Sequence, residues 1–318
     1  MSATLSGVTS ETSPAGPAET LSPREYLSAV REAYSQIYAD EKPDEAFHES
    51  TLRDLEKLGV VLAGPYDGYD RAAEAISDKV VAACKRLYDV DLANECALGP
   101  LTHLSVNARC FRNRQGVYAL VIHHGLMALL HKYTKLVIAA NDPSQVVYCN
   151  RKDPRSLTKE DLLEWADELG VNYLLTSAAR GAMVRVAGRS LSAVSTVVQL
   201  AETFVLGHEA GHYLGGHLES EANFVPDDEV SSLQVLAEND RHIDEFEADE
   251  FGFEIMQASF PRIPEAIVHT AIFGAFSMMA LIGGDRDSES HPASGKRYKR
   301  LADRHGLPPW TGAAADTA

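Results

Sequence analysis

The stretch Thr203-Phe-Val-Leu-Gly-His208-Glu209-Ala-Gly-His212-Tyr-Leu-Gly-Gly-His217 decides how this 318-residue sequence is interpreted. It lies in an apolar pattern with helical spacing that runs from about residue 190 to residue 218. Residues four apart project from one face of a helix, so the imidazoles of His208 and His212 can reach one metal ion. Glu209 then lies beside the open coordination position, where a water molecule can be activated. The spacing predicts a site for one Zn²⁺ ion per chain.

A third metal ligand is expected on a second helix downstream. The segment Asp244-Glu245-Phe-Glu247-Ala-Asp249 places Glu245 and Asp249 four residues apart on one face. Glu245 can therefore bind the metal, while Asp249 accepts an N–H from a ligating histidine and fixes its tautomer. The alternative is an ordinary charged helix face, on which the two carboxylates would repel mildly. An HExxH motif followed by a glutamate on a separate helix is the gluzincin arrangement of zinc metallopeptidases.

Four ordered motifs extend this interpretation beyond HExxH. They are Asn107-Ala108 followed by a strand at 117–122 and by GLMALL at 125–130; HExxHxxxxH ending at His217; Glu245-x-x-Ala-Asp249; and His291-Pro292 with Arg297 and Leu301 behind it. Over roughly residues 104–301 the sequence resembles the HtpX-like and CAAX prenyl endopeptidases, a family of zinc metallopeptidases.

The resemblance implies a zinc endopeptidase that hydrolyses peptide bonds. In this scheme His208, His212 and Glu245 bind the metal. Glu209 is the general base that takes a proton from the attacking water and passes it to the leaving amine. The implied partner is a peptide or protein substrate.

The resemblance also implies residues around the metal. The region of Asn107 and Ala108, with its strand, would form the edge of the active site, where an extended substrate adds as a β-strand. His291 and Arg297 would lie on a loop near the metal, as candidates for stabilising the oxyanion or for gating the open coordination position.

Three other features favour structural roles. His217 is expected to pack or to form a hydrogen bond rather than to be a fourth ligand. The pair His123-His124 ends the strand that is expected to form the edge, where histidines usually act as solvated polar groups. Cys110 is expected to be a small core residue.

The remaining pattern predicts an α+β fold: a mostly helical zincin-type metallopeptidase domain with a small antiparallel or mixed sheet, whose edge strand borders the active site. Helices are expected at 23–38, 45–58, 69–88 and 156–169, the last of them ending at Gly170. Two short strands around the turn signal Asn113 to Gly116 predict a hairpin within 101–124.

The chain divides into four expected regions. A disordered leader covers residues 1–22, an N-terminal helical region covers 23–100, and the metallopeptidase domain covers 101–305. That domain carries an insertion at about 132–202, which could cap the cleft. A flexible tail covers 306–318.

Composition excludes some classes of partner. The chain has 29 Lys and Arg against 46 Asp and Glu, a net charge of −17, which argues against nucleic acid and against an anionic membrane surface. Much of the acidity lies between 219 and 250, and 219–240 is expected to be a solvated loop between the two ligand helices. Four cysteines without CxxC spacing favour a reducing cytoplasm.

Three alternatives stay open from the sequence. The first is a regulatory metallopeptidase that cleaves a transcriptional repressor, and the second is a zinc-stabilised binding protein without turnover. The third is a peptidase anchored in a membrane by the apolar segment 266–284, although a core helix is the favoured interpretation of that segment. The oligomeric state is not predicted.

Overall fold

A computed structural model of the protein describes residues 21–37, 67–113, 115–218, 241–288 and 291–310. Its helices are α1 Pro23–Ile37, α2 Asp67–Tyr88, α3 Leu92–Glu95, α4 His124–Asn141, α5 Lys159–Thr176, α6 Gly188–Leu214, α7 Arg241–Ser259, α8 Glu265–Gly283 and α9 Ser294–His305. Its strands are β1 Cys96–Leu101, β2 Ala108–Arg112, β3 Tyr118–His123, β4 Val146–Cys149 and β5 Val184–Val186. The predicted α+β class, with many helices and little sheet, is confirmed. The helix expected at 45–58, the acidic loop at 219–240 and nearly all of the leader lie outside the described residues.

The main sheet has three strands in the order β1-β3-β2. β2 and β3 form the predicted antiparallel hairpin. The side chain of Asn113 accepts hydrogen bonds from the N–H groups of Gln115 and Val117, and Gly116 adopts a φ of 81°, which glycine tolerates. β1 runs parallel to β3 and makes the sheet mixed. β3 is therefore central, and the expectation that the strand ending at His123 is the edge is wrong: β2 is the edge beside β3.

Helices cover both faces of this sheet. On one face Leu27 and Val30 of α1 pack against Phe111 and Val121 of the sheet. The other face belongs to a cluster that α2, α6 and α7 share with β3; its members include Ile76, Val80, Leu120, Leu206 and Ile255. The edge strand β2 consequently lies alongside α6, the helix that carries the HExxH motif.

The segment 132–202, interpreted above as an insertion, contributes to the largest core. It contains most of α4, all of α5, the two-stranded sheet of β4 and β5, and the first half of α6. Buried side chains of α5, including Leu162 and Trp165, belong to the same cluster as Phe204 of α6 and Phe276 of α8. The described part of this segment is thus packed into the body of the fold.

Helix α5 differs from its predicted bounds. Its N-terminus is capped as expected, by a capping box of Thr158 and Asp161. The expected stop at Gly170 is wrong, because the helix continues to Thr176. A Cβ atom on Gly170 would lie 2.3 Å from the Cγ atom of Leu281 in α8, so this glycine serves the packing of two helices.

Two helices, α6 and α8, are long and apolar enough to cross a membrane by length and composition. In the most apolar window of α6, 61% of the residues are buried inside the protein, against 33% in that of α8. Of the tail expected at 306–318, the structure describes residues 306–310. Leu307 is buried, and the ring of Trp310 lies 5.1 Å from that of Tyr298.

Candidate metal centre

The site is built where α6 crosses α7 at short distance. Glycines line the crossing on both helices. A Cβ atom on Gly211 would lie 2.8 Å from backbone of α7, and one on Gly252 would lie 2.9 Å from the backbone nitrogen of His208. Without side chains at these positions the two backbones come close enough to bring Glu245 of α7 beside the histidines of α6.

Three side chains converge at this crossing. The Nε2 atoms of His208 and His212 are 3.1 Å apart. Oε2 of Glu245 lies 3.6 Å from Nε2 of His208, and Oε1 lies 3.4 Å from Nε2 of His212. Four-coordinate zinc, with bonds of about 2.0–2.1 Å, separates its ligand atoms by about 3.3–3.4 Å. Among the residues that the structure describes, these three are the only group with the spacing of a metal site, and they fit zinc.

A clamp on His208 is formed by Asp249 and Arg297. Nδ1 of His208 lies 3.0 Å from Oδ1 of Asp249, which is 1% exposed. Arg297 donates from Nε and Nη2 to the two oxygens of Asp249 at 2.8 and 2.6 Å, and its Nη1 lies 3.0 Å from Oε2 of Glu245. Burial, the largest single effect, would raise the pKa of both carboxyls, but the guanidinium of Arg297 together with the nearby histidines lowers the pKa of each below its usual value. Both carboxylates are therefore held as anions.

His212 is supported differently. Its Nδ1 atom lies 3.0 Å from Nδ1 of His217. Nε2 of His217 in turn lies 3.3 Å from Oε2 of Glu247, whose side chain is 53% exposed. No carboxylate among the described residues contacts Nδ1 of His212, so the two histidines of the HExxH motif have unlike neighbours.

The arrangement of protons favours a cation between the histidines. A carboxylate can only accept a hydrogen bond, so His208 donates from Nδ1 to Asp249 and keeps the lone pair of Nε2. That lone pair faces Nε2 of His212 and the carboxylate of Glu245. Oε2 of Glu245 is also buried and accepts no hydrogen bond from the described residues, although the charge of Arg297 is close. Lone pairs and negative charge thus converge on one point, which suits a divalent metal.

Glu209 is the other buried carboxyl of the motif. It is 7% exposed and has no hydrogen-bond or ion-pair partner within the described ranges. Burial raises its pKa, and the neighbouring Glu245 adds to that effect, while the histidines and Arg109 oppose it. Cys110 of β2 is close enough that burial and then the charge of Glu209 raise the pKa of its thiol well above the usual value. The general base predicted from the sequence therefore lies under the edge strand.

The other predicted residues occupy different positions around the centre. Ala108 is the first residue of β2, and the carbonyl of the preceding Asn107 accepts a hydrogen bond from the N–H of His123. His291 lies in the turn before α9, its side chain 55% exposed, with Nε2 3.4 Å from Oε1 of Glu245. The loop position predicted for Arg297 is wrong, because Arg297 lies in α9 and is buried. Its guanidinium contacts the carboxylates of Asp249 and Glu245 and lies 3.4 Å from Nδ1 of His208, which suits the holding of ligands rather than oxyanion stabilisation or gating.

Several residues near the site were not predicted. Arg109 of β2 contributes positive charge near Glu209 and has no ion-pair partner in the part of the chain that the structure describes. The glycines of the helix crossing were also missed, although Gly207-x-x-x-Gly211 is a visible spacing of small residues in α6. No local signal indicates Gly252, because its role depends on the other helix.

Comparison with known proteins gives one match. No curated protein and no solved structure matches the chain. The family described as Peptidase U49 matches residues 125–314, which is 190 of the 318 residues (314 − 124). The matched range includes the whole cluster of His208, His212 and Glu245 and begins just after β3. Since the match covers more than half of its length, this chain belongs to the Peptidase U49 family of peptide hydrolases.

Proposed function

We propose that this member of a peptidase family is a zinc-dependent metalloendopeptidase. One observation carries the proposal: Nε2 of His208, Nε2 of His212 and the carboxylate of Glu245 converge with ligand spacing, next to the buried carboxyl of Glu209. The spacing of the three groups and the direction of their lone pairs both suit one Zn²⁺ ion. When bound, the ion would polarise the scissile carbonyl and lower the pKa of a coordinated water.

Glu209 is the proposed general base. A carboxylate with an ordinary pKa is a weak base at neutral pH, and burial raises the pKa of Glu209 toward the range in which it can both take and return a proton. Glu209 removes a proton from the attacking water and then delivers it to the leaving amine. It has no competing partner among the described residues, so its carboxyl is available for this transfer.

The edge strand β2 is the proposed binding edge for an extended peptide substrate. Two observations support this: β2 is an outer strand of its sheet, and it packs beside the helix that carries Glu209. Pairing with an outer strand would align the peptide backbone by main-chain hydrogen bonds. Asn107 and Ala108 would then lie at one end of that edge, and the exposed side chain of His291 would approach the site from the opposite helix layer.

Two finer features belong to the same proposal. The resemblance to the HtpX-like and CAAX prenyl endopeptidases is supported by the contacts of its motif residues Asp249 and Arg297 with the ligands. A cytoplasmic location is proposed because the four cysteines are free thiols.

The test combines metal content with cleavage. We expect purified protein to contain one zinc per chain, and Glu209→Gln to keep that zinc while cleavage of a proteome-derived peptide mixture falls at least about a hundredfold. Glu202→Gln is the matched control, since Glu202 is a second buried carboxyl of α6, seven residues earlier on the same face, and its change should leave cleavage intact. Wild-type protein without zinc, or equal cleavage by Glu209→Gln, would overturn the proposal.

A further inference from the structure

We infer that His217 is the positioning residue for the ligand His212, holding it in the tautomer that can bind a metal. This inference rests on the proposed function, because it assigns a role toward the same zinc site. It starts from a contact between two nitrogens of the same kind, Nδ1 of His212 and Nδ1 of His217, 3.0 Å apart. At that distance one of the two must carry the proton and the other must accept it.

The direction of this hydrogen bond follows from the ligand position. Nε2 of His212 faces Nε2 of His208 and Glu245, so it must keep its lone pair in order to bind metal. The proton of a neutral His212 is then on Nδ1, and it is donated to His217. His217 accepts on Nδ1 and therefore carries its own proton on Nε2.

The far side of His217 agrees with this assignment. Its Nε2 atom lies 3.3 Å from Oε2 of Glu247 and 4.0 Å from Oδ1 of Asp244. Both neighbours are carboxylates, which accept and cannot donate. A proton on Nε2 of His217 is thus satisfied by Glu247. The three residues form a directed chain from ligand to surface.

The backbone is shaped to bring His217 back over the ligand helix. α6 ends at Leu214, Gly216 has a φ of 68°, and the N–H of His217 donates to the carbonyl of His212. A Cβ atom on Gly215 would lie 2.2 Å from Nε2 of His217. The two glycines therefore let the chain turn and leave room for the imidazole, whose side chain is only 5% exposed.

The same geometry excludes His217 as a fourth ligand in this conformation. Its contact is with Nδ1 of His212, the nitrogen that faces away from the cluster, so neither of its own nitrogens faces the other ligands. A residue that fixes tautomer and ring orientation typically changes metal affinity by about 10–100-fold when it is removed. That effect is measurable without any substrate.

The experiment measures zinc affinity by competition with a chromophoric chelator. We expect His217→Phe to bind zinc about 10–100-fold more weakly than wild type, and His217→Gln, whose side-chain oxygen can accept from Nδ1, to recover most of the loss. Gly215→Ala should weaken binding in the same direction, because the added methyl group displaces the ring. Gly274→Ala is the control, since a Cβ there meets nothing within 4 Å.

A second readout needs no variant. Long-range ¹H–¹⁵N spectra of zinc-loaded, histidine-labelled protein should place the proton of His217 on Nε2 and that of His212 on Nδ1. Zinc affinity of His217→Phe equal to wild type, no recovery in His217→Gln, or a proton on Nδ1 of His217 would each overturn the inference. Wild-type protein that binds no zinc would instead refute the proposed function. Glu245→Gln should lose zinc, so the same zinc content in Glu245→Gln and wild type would also refute the proposed function and not the inference about His217.

Discussion

Two pairs of buried carboxyl groups, in two regions of the part of the chain that the structure describes, are in opposite electrostatic states. At the junction of α7 and α9, burial would raise the pKa of Glu245 and Asp249, but Arg297 and the neighbouring histidines together outweigh burial, and both pKa values are lowered. On α6, burial dominates, and it raises the pKa of Glu209 and brings that of Glu202 to about 8. Arg297 contacts both carboxylates of the first pair, whereas Glu209 and Glu202 have no ion-pair partner among the described residues.

Under the proposed function, the two regions correspond to two different tasks of a carboxyl group. A carboxylate that binds a cation or orients a histidine must stay ionised, and the first region ensures this with a buried cation. A carboxyl that exchanges protons works best with a raised pKa, and burial raises the pKa of Glu209, which has no ion-pair partner among the described residues. Glu202 is buried on the same helix but does not belong to the group of His208, His212 and Glu245. Its pKa therefore shows the effect of burial alone on a carboxyl group.

The largest expected effect comes from removing the cation of the first region. Arg297→Met leaves Glu245 and Asp249 buried without the guanidinium that contacts both of them, and we expect the free energy of unfolding of metal-free protein to fall by about 3–5 kcal/mol in urea titrations. Arg300→Met is the control on the same helix. Arg300 is exposed and stacks on Phe246, so its loss should cost about 1 kcal/mol or less. Equal losses in the two variants would contradict the contrast.

The α6 region predicts a pH dependence of stability with a definite sign. The pKa of Glu202 is about 8 in the folded chain against a reference value of 4.5. A folded-state pKa above the unfolded value contributes stability that is present below pH 4.5 and is lost as the pH rises toward 8. Glu202→Gln removes this titration, because the amide is neutral at every pH.

The measurement is urea unfolding of metal-free protein between pH 4.5 and pH 8. Glu202→Gln and wild type should differ little at the acid end. At the alkaline end the variant should be more stable by roughly 4 kcal/mol, because the pKa is raised by about 3.5 (8 − 4.5) at about 1.4 kcal/mol per pKa unit and half of the folded Glu202 is still protonated at pH 8. A difference that stays constant with pH would mean that Glu202 is ionised in the folded protein.

Some features of the candidate site and of the fold could be predicted from the sequence alone. The helical spacing of His208 and His212 is local, and so is the i,i+4 pair of Glu245 and Asp249, so both could be placed on helix faces from the sequence alone. The structure brings these four residues together, while their roles stay predictions. The α+β class was also accessible, because helical and strand periodicities are short-range patterns.

Long-range effects explain what was missed. Arg297 was expected on a loop, but Asp285 and Asp287 accept hydrogen bonds from the N–H groups of Gly295 and Ala293 and so support the start of α9. Gly170 was expected to end a helix, whereas its close contact with Leu281 of α8 explains why a glycine occupies this position inside the helix. The central position of β3 depends on its parallel pairing with β1, which no local pattern indicates. Each of these three features depends on residues that lie elsewhere in the sequence, so a local pattern could not predict it.

The smallest expected effects come from two variants, Asp249→Asn and Glu247→Gln. Each replaces a carboxylate beside a histidine with the corresponding amide. Asp249 is 1% exposed and held by Arg297, so Asp249→Asn should weaken zinc binding by about 10–100-fold, since it removes a charge-assisted acceptor from His208. Glu247 is half exposed and contacts His217 rather than either proposed histidine ligand. Glu247→Gln keeps an oxygen that can accept from His217, so we expect a change of a few-fold at most. Chelator competition at one pH and ionic strength measures both variants. If the two variants weaken zinc binding equally, the exposed Glu247 matters as much for zinc affinity as the buried Asp249. The difference in burial and charge would then have no effect on how firmly the two histidines bind zinc.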